Sequence, residues 1–171
     1  DKANWLRDEG KNEESLELRI KSCKLHQKKY KRQKVKDGDS NLLFCYYMLS
    51  LAYEELKFFK ESIETSTKAI KIFEKYKNFQ VNKFNGLTEF NYQLFNRAVV
   101  YEKTFQYDKS IKDFEKLFEL IKNPNKDNKR ETNNYIRAAN SLSAIYAKKG
   151  DSKNEFKYKK IYYNSVYKFA N

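Results

Sequence analysis

The chain has 171 residues, with 36 Lys and Arg against 23 Asp and Glu and a net charge of +13. That length suits one domain with a substantial core. A content of 40% hydrophobic and 16% aromatic residues excludes a disordered chain, and one Pro with four Gly excludes an all-β fold, which needs many turns.

Hydrophobic periodicity and punctuation predict the elements in chain order. A short helix near 2–9 ends at Gly10 and is followed by a helix over 12–35. The cluster Asp37-Gly38-Asp39-Ser40 closes that pair, with Ser40 as the N-cap of the next helix. Helices follow over 40–57 and 60–77, the first carrying Tyr46, Leu49, Ser50 and Tyr53 at i, i+3, i+4, i+7, the second Ile63, Ser66, Ala69, Ile70 and Phe73 on one stripe. Asn82 to Gly86 connects to helices over 86–104 and 107–123, where Ile111, Phe114, Leu117, Phe118 and Ile121 form the matching stripe. The run Asn123 to Asn128 precedes the last pair, over 129–149 and 152–169.

Four segments of this map are alike. The apolar anchors Leu16, Ile63, Ile111 and Phe156 stand 47, 48 and 45 residues apart. Ser15, Ser62 and Ser110 precede three of them, and a small residue there lets two helices approach closely after a tight turn; Glu155 takes that place in the fourth. Gly10 and Gly150 fall in the turn, where a left-handed conformation costs glycine little. The units run over approximately 1–35, 40–77, 86–123 and 129–169.

The pattern resembles the tetratricopeptide repeat. The second unit supplies Tyr46, Leu49, Ser50, Tyr53, Ser62, Ile63 and Ala69. The third supplies Leu94, Ala98, Tyr101, Ser110, Ile111 and Leu117, with Arg97 where Leu is usual. The fourth supplies Ala139, Leu142, Ser143, Tyr146, Gly150 and Phe156. The family's unit is about 34 residues; the longer period here is similar to the long-helix repeats of bacterial sensory proteins, namely peptide-signal receptors and the sensor regions of some kinases and regulators. The resemblance implies an all-α fold, an α-α superhelix of about three and a half helical hairpins in a single domain. It implies a protein- or peptide-binding scaffold, the sensory or regulatory module of a larger bacterial protein, and no enzyme. The chain starts at Asp rather than Met, which fits a piece of something longer.

In such a solenoid the first helix of each pair lines the concave face. The groove positions are then Phe44, Tyr47, Met48 and Leu51, then Tyr92, Phe95, Asn96 and Val99, then Arg137, Asn140, Ser141 and Ala144. Asn96 and Asn140 each have the donors and acceptor to hold an extended backbone, and Arg137 is the groove cation. The competing reading is that these aromatics pack within the superhelix, since an aromatic stripe at helical spacing is more often core. The Lys and Asn arrangement by which chaperone-binding members clamp a terminal carboxylate is not matched.

Other chemistry is sparse. Cys23 and His26 lie three apart but have no second ligand pair or third catalytic group, so no metal, cofactor or nucleophile is expected. Cys23 and Cys45 allow one disulfide, but nothing reads as a disulfide scaffold, and both are expected as small buried apolar residues. The basic patch Lys28, Lys29, Lys31, Arg32, Lys34 and Lys36 reads as a solvated helix end, and as a nucleic-acid or acidic-partner surface in the alternative. Lys, Asn, Tyr and Phe are over-used together, the pattern of an AT-rich genome, which gives the charge a compositional origin. A third reading is an oligomerising module joined through exposed terminal repeats. No apolar run is long enough to span a membrane; the compartment expected is the cytoplasm, with an extracytoplasmic sensor region as the alternative.

Overall fold

The structure, a computed structural model, describes residues 2–33, 40–80, 86–122, 124 and 126–170. Among them there are helices and no strand: α1 (Lys2–Asp8), α2 (Asn12–Gln33), α3 (Ser40–Glu55), α4 (Phe59–Gln80), α5 (Gly86–Lys103), α6 (Tyr107–Leu120), α7 (Lys129–Lys148) and α8 (Ser152–Ala170). The architecture is the expected α-α solenoid of helical hairpins. None of these helices is long and apolar enough to cross a membrane. The connections expected at Asp37-Gly38-Asp39, at 82–85, at Asn123 and at Asn125, and the cap at the Ser40 side chain, lie outside the described residues.

The four hairpins turn in the same way. Residues Gly10, Lys57, Phe105 and Gly150 adopt φ of 77, 63, 59 and 72°. At each, its own N–H bonds the carbonyl three residues back and the next N–H bonds the carbonyl five back: Gly10 to Arg7 with Lys11 to Leu6, Lys57 to Glu54 with Phe58 to Tyr53, Phe105 to Glu102 with Gln106 to Tyr101, and Gly150 to Ala147 with Asp151 to Tyr146. This is the Schellman arrangement, which satisfies the last carbonyls of a helix and reverses the chain. A Cβ at Gly10 or Gly150 would meet nothing within 4 Å. Backbone conformation, not space, therefore makes glycine suitable there. Lys57 and Phe105 adopt the same conformation with a Cβ and carry its strain.

Past each turn the second helix is fastened to the first. The hydroxyl of Ser15 donates to the Ala3 carbonyl at 2.7 Å, that of Ser62 to Ser50 at 2.8 Å and that of Ser110 to Ala98 at 2.8 Å, each across twelve residues. All three serines are buried. Their small side chains let the backbones come this close, and their hydroxyls use the contact. The fourth hairpin has Glu155 in that place and is held otherwise. Tyr146 and Tyr158 stack with parallel rings 5.8 Å apart, and both hydroxyls donate to Glu115 Oε1, at 2.9 and 3.0 Å. Asp151 caps α8 by accepting from the Asn154 N–H at 3.0 Å, and Asn128 caps α7 by accepting from Glu131 at 3.1 Å.

Hairpins stack asymmetrically. The first helices form a row, α3 on α5 and α5 on α7, while the second helices α4, α6 and α8 pack their backbones on first helices and reach one another through side chains, Lys116 to Glu74 and Tyr158 to Glu115. A row packed on one side and splayed on the other gives the array its curvature, with α3, α5 and α7 on the inner side. The core is correspondingly segmented. One cluster gathers Phe95, Ile111, Phe114, Leu117, Leu142, Ile145 and Tyr158; a second gathers Leu42, Leu43, Tyr46, Leu49 and Ala69; Ile70, Phe90 and Leu94 join them.

The second cluster includes Cys23 and Cys45, which are bonded to each other as a disulfide with Cα atoms 5.5 Å apart. Of the two readings of these cysteines, the bridge is the one found, against the preference for two unlinked residues. Both residues are buried, as expected, but α2 and α3 place them on facing sides of one helix contact, which no local sequence signal reveals.

Two stability tests follow. Ser62→Ala should cost about 1–2 kcal/mol, and Lys57→Gly should gain about 1 kcal/mol by removing a Cβ from the left-handed region, both read as shifted urea midpoints at constant slope. A Ser62→Ala protein as stable as the parent would take the serine bond out of this account. Replacing Cys23 and Cys45 together with Ser should cost about 3 kcal/mol, from the loop that the bridge closes; an intact mass showing two free thiols in the parent would refute the bridge itself.

Candidate functional site

The inner row is where the sequence places a groove, and the structure distributes those residues unevenly. Tyr47, Tyr92, Phe95 and Asn96 are buried; Met48, Leu51, Val99 and Ser141 are half-buried; Phe44, Arg137, Asn140 and Ala144 are exposed. The buried ones are used between neighbouring first helices. Tyr47 of α3 and Tyr92 of α5 lie 5.3 Å apart, and the Tyr92 hydroxyl meets Asn128 at 3.4 Å ahead of α7. The Asn96 amide donates to Ser50 Oγ at 3.0 Å, so this N–H, expected to hold a peptide backbone, instead joins α5 to α3. The stripe is aromatic as read, but each helix of the row lands on the aromatics of the one before.

What remains open is the outer edge of this row, on α7. Arg130, Asn133, Arg137, Asn140 and Ala144 recur at i, i+3, i+7, i+10 and i+14 and are all exposed. Arg130 lies over two rings, 5.3 Å from Tyr92 and 6.0 Å from Tyr47, and Arg137 lies 5.0 Å from the Phe95 ring. Neither guanidinium forms an ion pair among the described residues. Stacking on an aromatic face fixes the plane of a guanidinium while leaving its N–H fork free for a carboxylate. In sequence Arg130 reads as the end of the exposed basic run from Lys122, whereas it stands in the first turn of α7; the helical spacing of the two arginines and two asparagines was the available signal.

Behind the groove runs a polar interior. Arg97 makes two 2.7 Å bonds to Asp113, from Nε and Nη2, and a third of 3.0 Å from Nη1 to Thr67. Burial alone would lower its pKa; the Asp113 carboxylate reverses this and holds it above the usual guanidinium value. The departure from Leu at this position thus ties α4, α5 and α6 together. Gln93 donates to the Leu43 carbonyl at 3.1 Å, adding a second polar link from α5 to α3. Ser66 Oγ, Asn91 Oδ1 and Gln93 Oε1 are buried without a hydrogen-bond partner among the described residues.

Of the basic stretch, Lys28 and Lys29 are exposed on α2; the side chains of Lys31 and Arg32, and all of Lys34 and Lys36, lie outside the described residues. Cys23 is spent in the disulfide and is no partner for His26, either as a metal ligand or as a nucleophile. Among the described residues no three of His, Cys, Asp and Glu group as metal ligands would.

The tetratricopeptide repeat model matches the chain at residues 45–76 and 94–124, which are the α3–α4 and α5–α6 hairpins. No curated protein matches the chain. A solved structure titled "Crystal structure of MamA" is 17% identical over 99% of this chain and 97% of that one, with a TM-score of 0.42. That overlap is too loose to bear on what the chain does. The turn and the serine bond of the two matched hairpins recur in the first hairpin, and the turn recurs in the last. The chain accordingly carries tetratricopeptide repeats at its two middle hairpins, within a solenoid of like hairpins whose general use is as a protein-interaction scaffold.

Proposed function

We propose that this scaffold binds an acidic, extended segment of a partner protein along the exposed stripe of α7. The observation that carries the reading is the pair of arginines, Arg130 and Arg137, each oriented on an aromatic face and each without a carboxylate among the described residues. Two helical turns separate them, about 10.5 Å along the axis. An extended segment in the polyproline II conformation, with three residues per turn and a rise of about 3.1 Å, covers nearly that distance in three residues and returns to the same face, so the fitting ligand has two acidic side chains three apart. Asn133 and Asn140, exposed on the same stripe, have the donors and acceptors to hold its backbone. The net charge of +13 favours such a partner at a distance.

The wider role rests on resemblance: units longer than the family's usual ones are similar to those of bacterial sensory proteins, and we assign the chain to the regulatory part of such a protein. The Cys23–Cys45 bridge supports an oxidising compartment, the extracytoplasmic alternative, over the cytoplasm. A basic-surface role with nucleic acid is the second reading, favoured by Lys28 and Lys29 on α2.

One experiment separates these two readings. A library of fluorescent peptides with two acidic residues at varied spacing is titrated against the parent and the Arg130→Ala/Arg137→Ala protein. The stripe reading expects a best spacing of about three residues and a loss of about tenfold or more in the double variant. Affinity independent of spacing and of both arginines, beside tight single-stranded DNA binding that falls steeply with salt, would replace it with the basic-surface reading.

A further inference from the structure

The two middle hairpins, α3–α4 and α5–α6, each have a hairpin on either side. Their turns carry large apolar rings in the open: Phe105 is 77% exposed and Phe58 48%. Phe105 is itself the left-handed residue of its turn, at φ 59°, and Phe58 follows the left-handed Lys57. In the first and last hairpins that place belongs to Gly10 and Gly150. A bulky residue at positive φ is strained, and a ring this exposed recovers little by burial. Strain and exposure both run against stability, and together they mark a side chain kept for contact with something else.

Each ring is held by a neighbour. Phe58 meets Tyr53 edge to face at 6.4 Å and 86°, and Phe105 meets Tyr107 at 6.2 Å and 89°. The Tyr107 hydroxyl accepts from Lys148 at 3.4 Å, which leaves its own proton to donate. Ion pairs tie successive turns into one edge: Arg7 to Glu55 at 3.9 Å, Lys103 to Glu54, and Lys149 to Asp108 at 2.6 Å. Residues 53–61 and 101–109 carry four lysines and five carboxylates, so this part of the edge is nearly neutral in a chain of net charge +13. Such a surface gives a polyanion or an anionic bilayer little electrostatic hold.

We infer that this edge is a docking site for a proline-rich segment of a partner protein in the polyproline II conformation. Neighbouring helices pack about 8–10 Å apart, which sets the step from one ring pair to the next. A polyproline II chain repeats every three residues, about 9.3 Å, so prolines three apart meet one ring pair each. Its uncharged rings suit aromatic faces on a neutral surface. Its backbone, free of internal hydrogen bonds, has a carbonyl to offer the Tyr107 hydroxyl. An amphipathic helix needs a groove for its apolar face and a strand needs a sheet edge; protruding turns offer neither. The site goes beyond the α7 stripe, since it uses other residues and takes an uncharged segment where the stripe takes an acidic one.

The probe is a fluorescent peptide of about nine residues with prolines three apart, beside one of the same composition with prolines four apart. In anisotropy titrations the first should bind the parent about tenfold tighter than the second. Phe105→Gly should weaken the first peptide about tenfold while melting no lower than the parent, since glycine relieves the left-handed turn. Phe58→Ala, at a half-exposed ring, should weaken it several-fold by an independent route. The Arg130→Ala/Arg137→Ala protein should bind both peptides as the parent does, which keeps failure at this edge distinct from failure at the stripe. Equal affinity for the two peptides, full affinity in Phe105→Gly, or loss of binding in the arginine double variant would each overturn the proposal. So would co-sedimentation with phosphatidylcholine vesicles that Phe105→Gly abolishes, since a bilayer would then be what the rings enter. A dimer in gel filtration that Phe105→Gly dissociates and the peptide does not would overturn it in favour of a second copy.

Discussion

A serine hydroxyl bonded to a carbonyl twelve residues earlier holds each of the first three hairpins shut. Two helices can meet that closely only where the side chain between them is small, and serine adds a directed bond to the close approach. The left-handed turn five residues before each serine fixes the angle at which the second helix returns. With both fixed, the first helices of successive hairpins are left facing one another and form the inner row. The curvature, the burial of the row's aromatics and the exposure of the α7 edge all follow from that geometry.

The interior between hairpins is more polar than a helical core need be. Arg97 and Asp113 are a buried pair, and stranding either member of such a pair costs about 3–5 kcal/mol, although a well-packed apolar replacement of both is often neutral. The pair therefore adds less net stability than its short bonds suggest. Its effect is on register: α4, α5 and α6 meet with one geometry in which Thr67, Arg97 and Asp113 all find their partners. At the last hairpin Glu115 plays a comparable part. It accepts from two tyrosines, and burial together with this carboxylate pushes Tyr146 up to about 12. Both hydroxyls thus stay neutral donors far into the alkaline range, and the stability they confer is present below about pH 10 and is lost as pH rises through the raised value.

The repeat was legible because its carriers are local: small residues, tyrosines and apolar anchors at fixed offsets from a turn. The left-handed turns at Lys57 and Phe105 were not, since neither residue announces a positive φ as Gly10 and Gly150 do. Phase with the other units was the only clue. The groove was legible as a stripe but not as a surface. Whether Tyr92 or Phe95 is open depends on where α7 lands, and no spacing within α5 encodes that. The disulfide joins α2 to α3 across twenty-two residues and leaves no pattern in either helix.

The repeat matches and the packing together support a protein-interaction scaffold, and its open surface, the α7 stripe, presents cations next to aromatic rings. That surface exists only if the hairpins are locked as described. Residue-resolved amide hydrogen exchange on the native protein tests that lock directly. The account predicts slow exchange at the N–H groups of Lys11, Phe58, Gln106 and Asp151, which close the four turns, at rates close to those of the helices that flank them. Fast exchange at Phe58 and Gln106, where no glycine eases the turn, would contradict it.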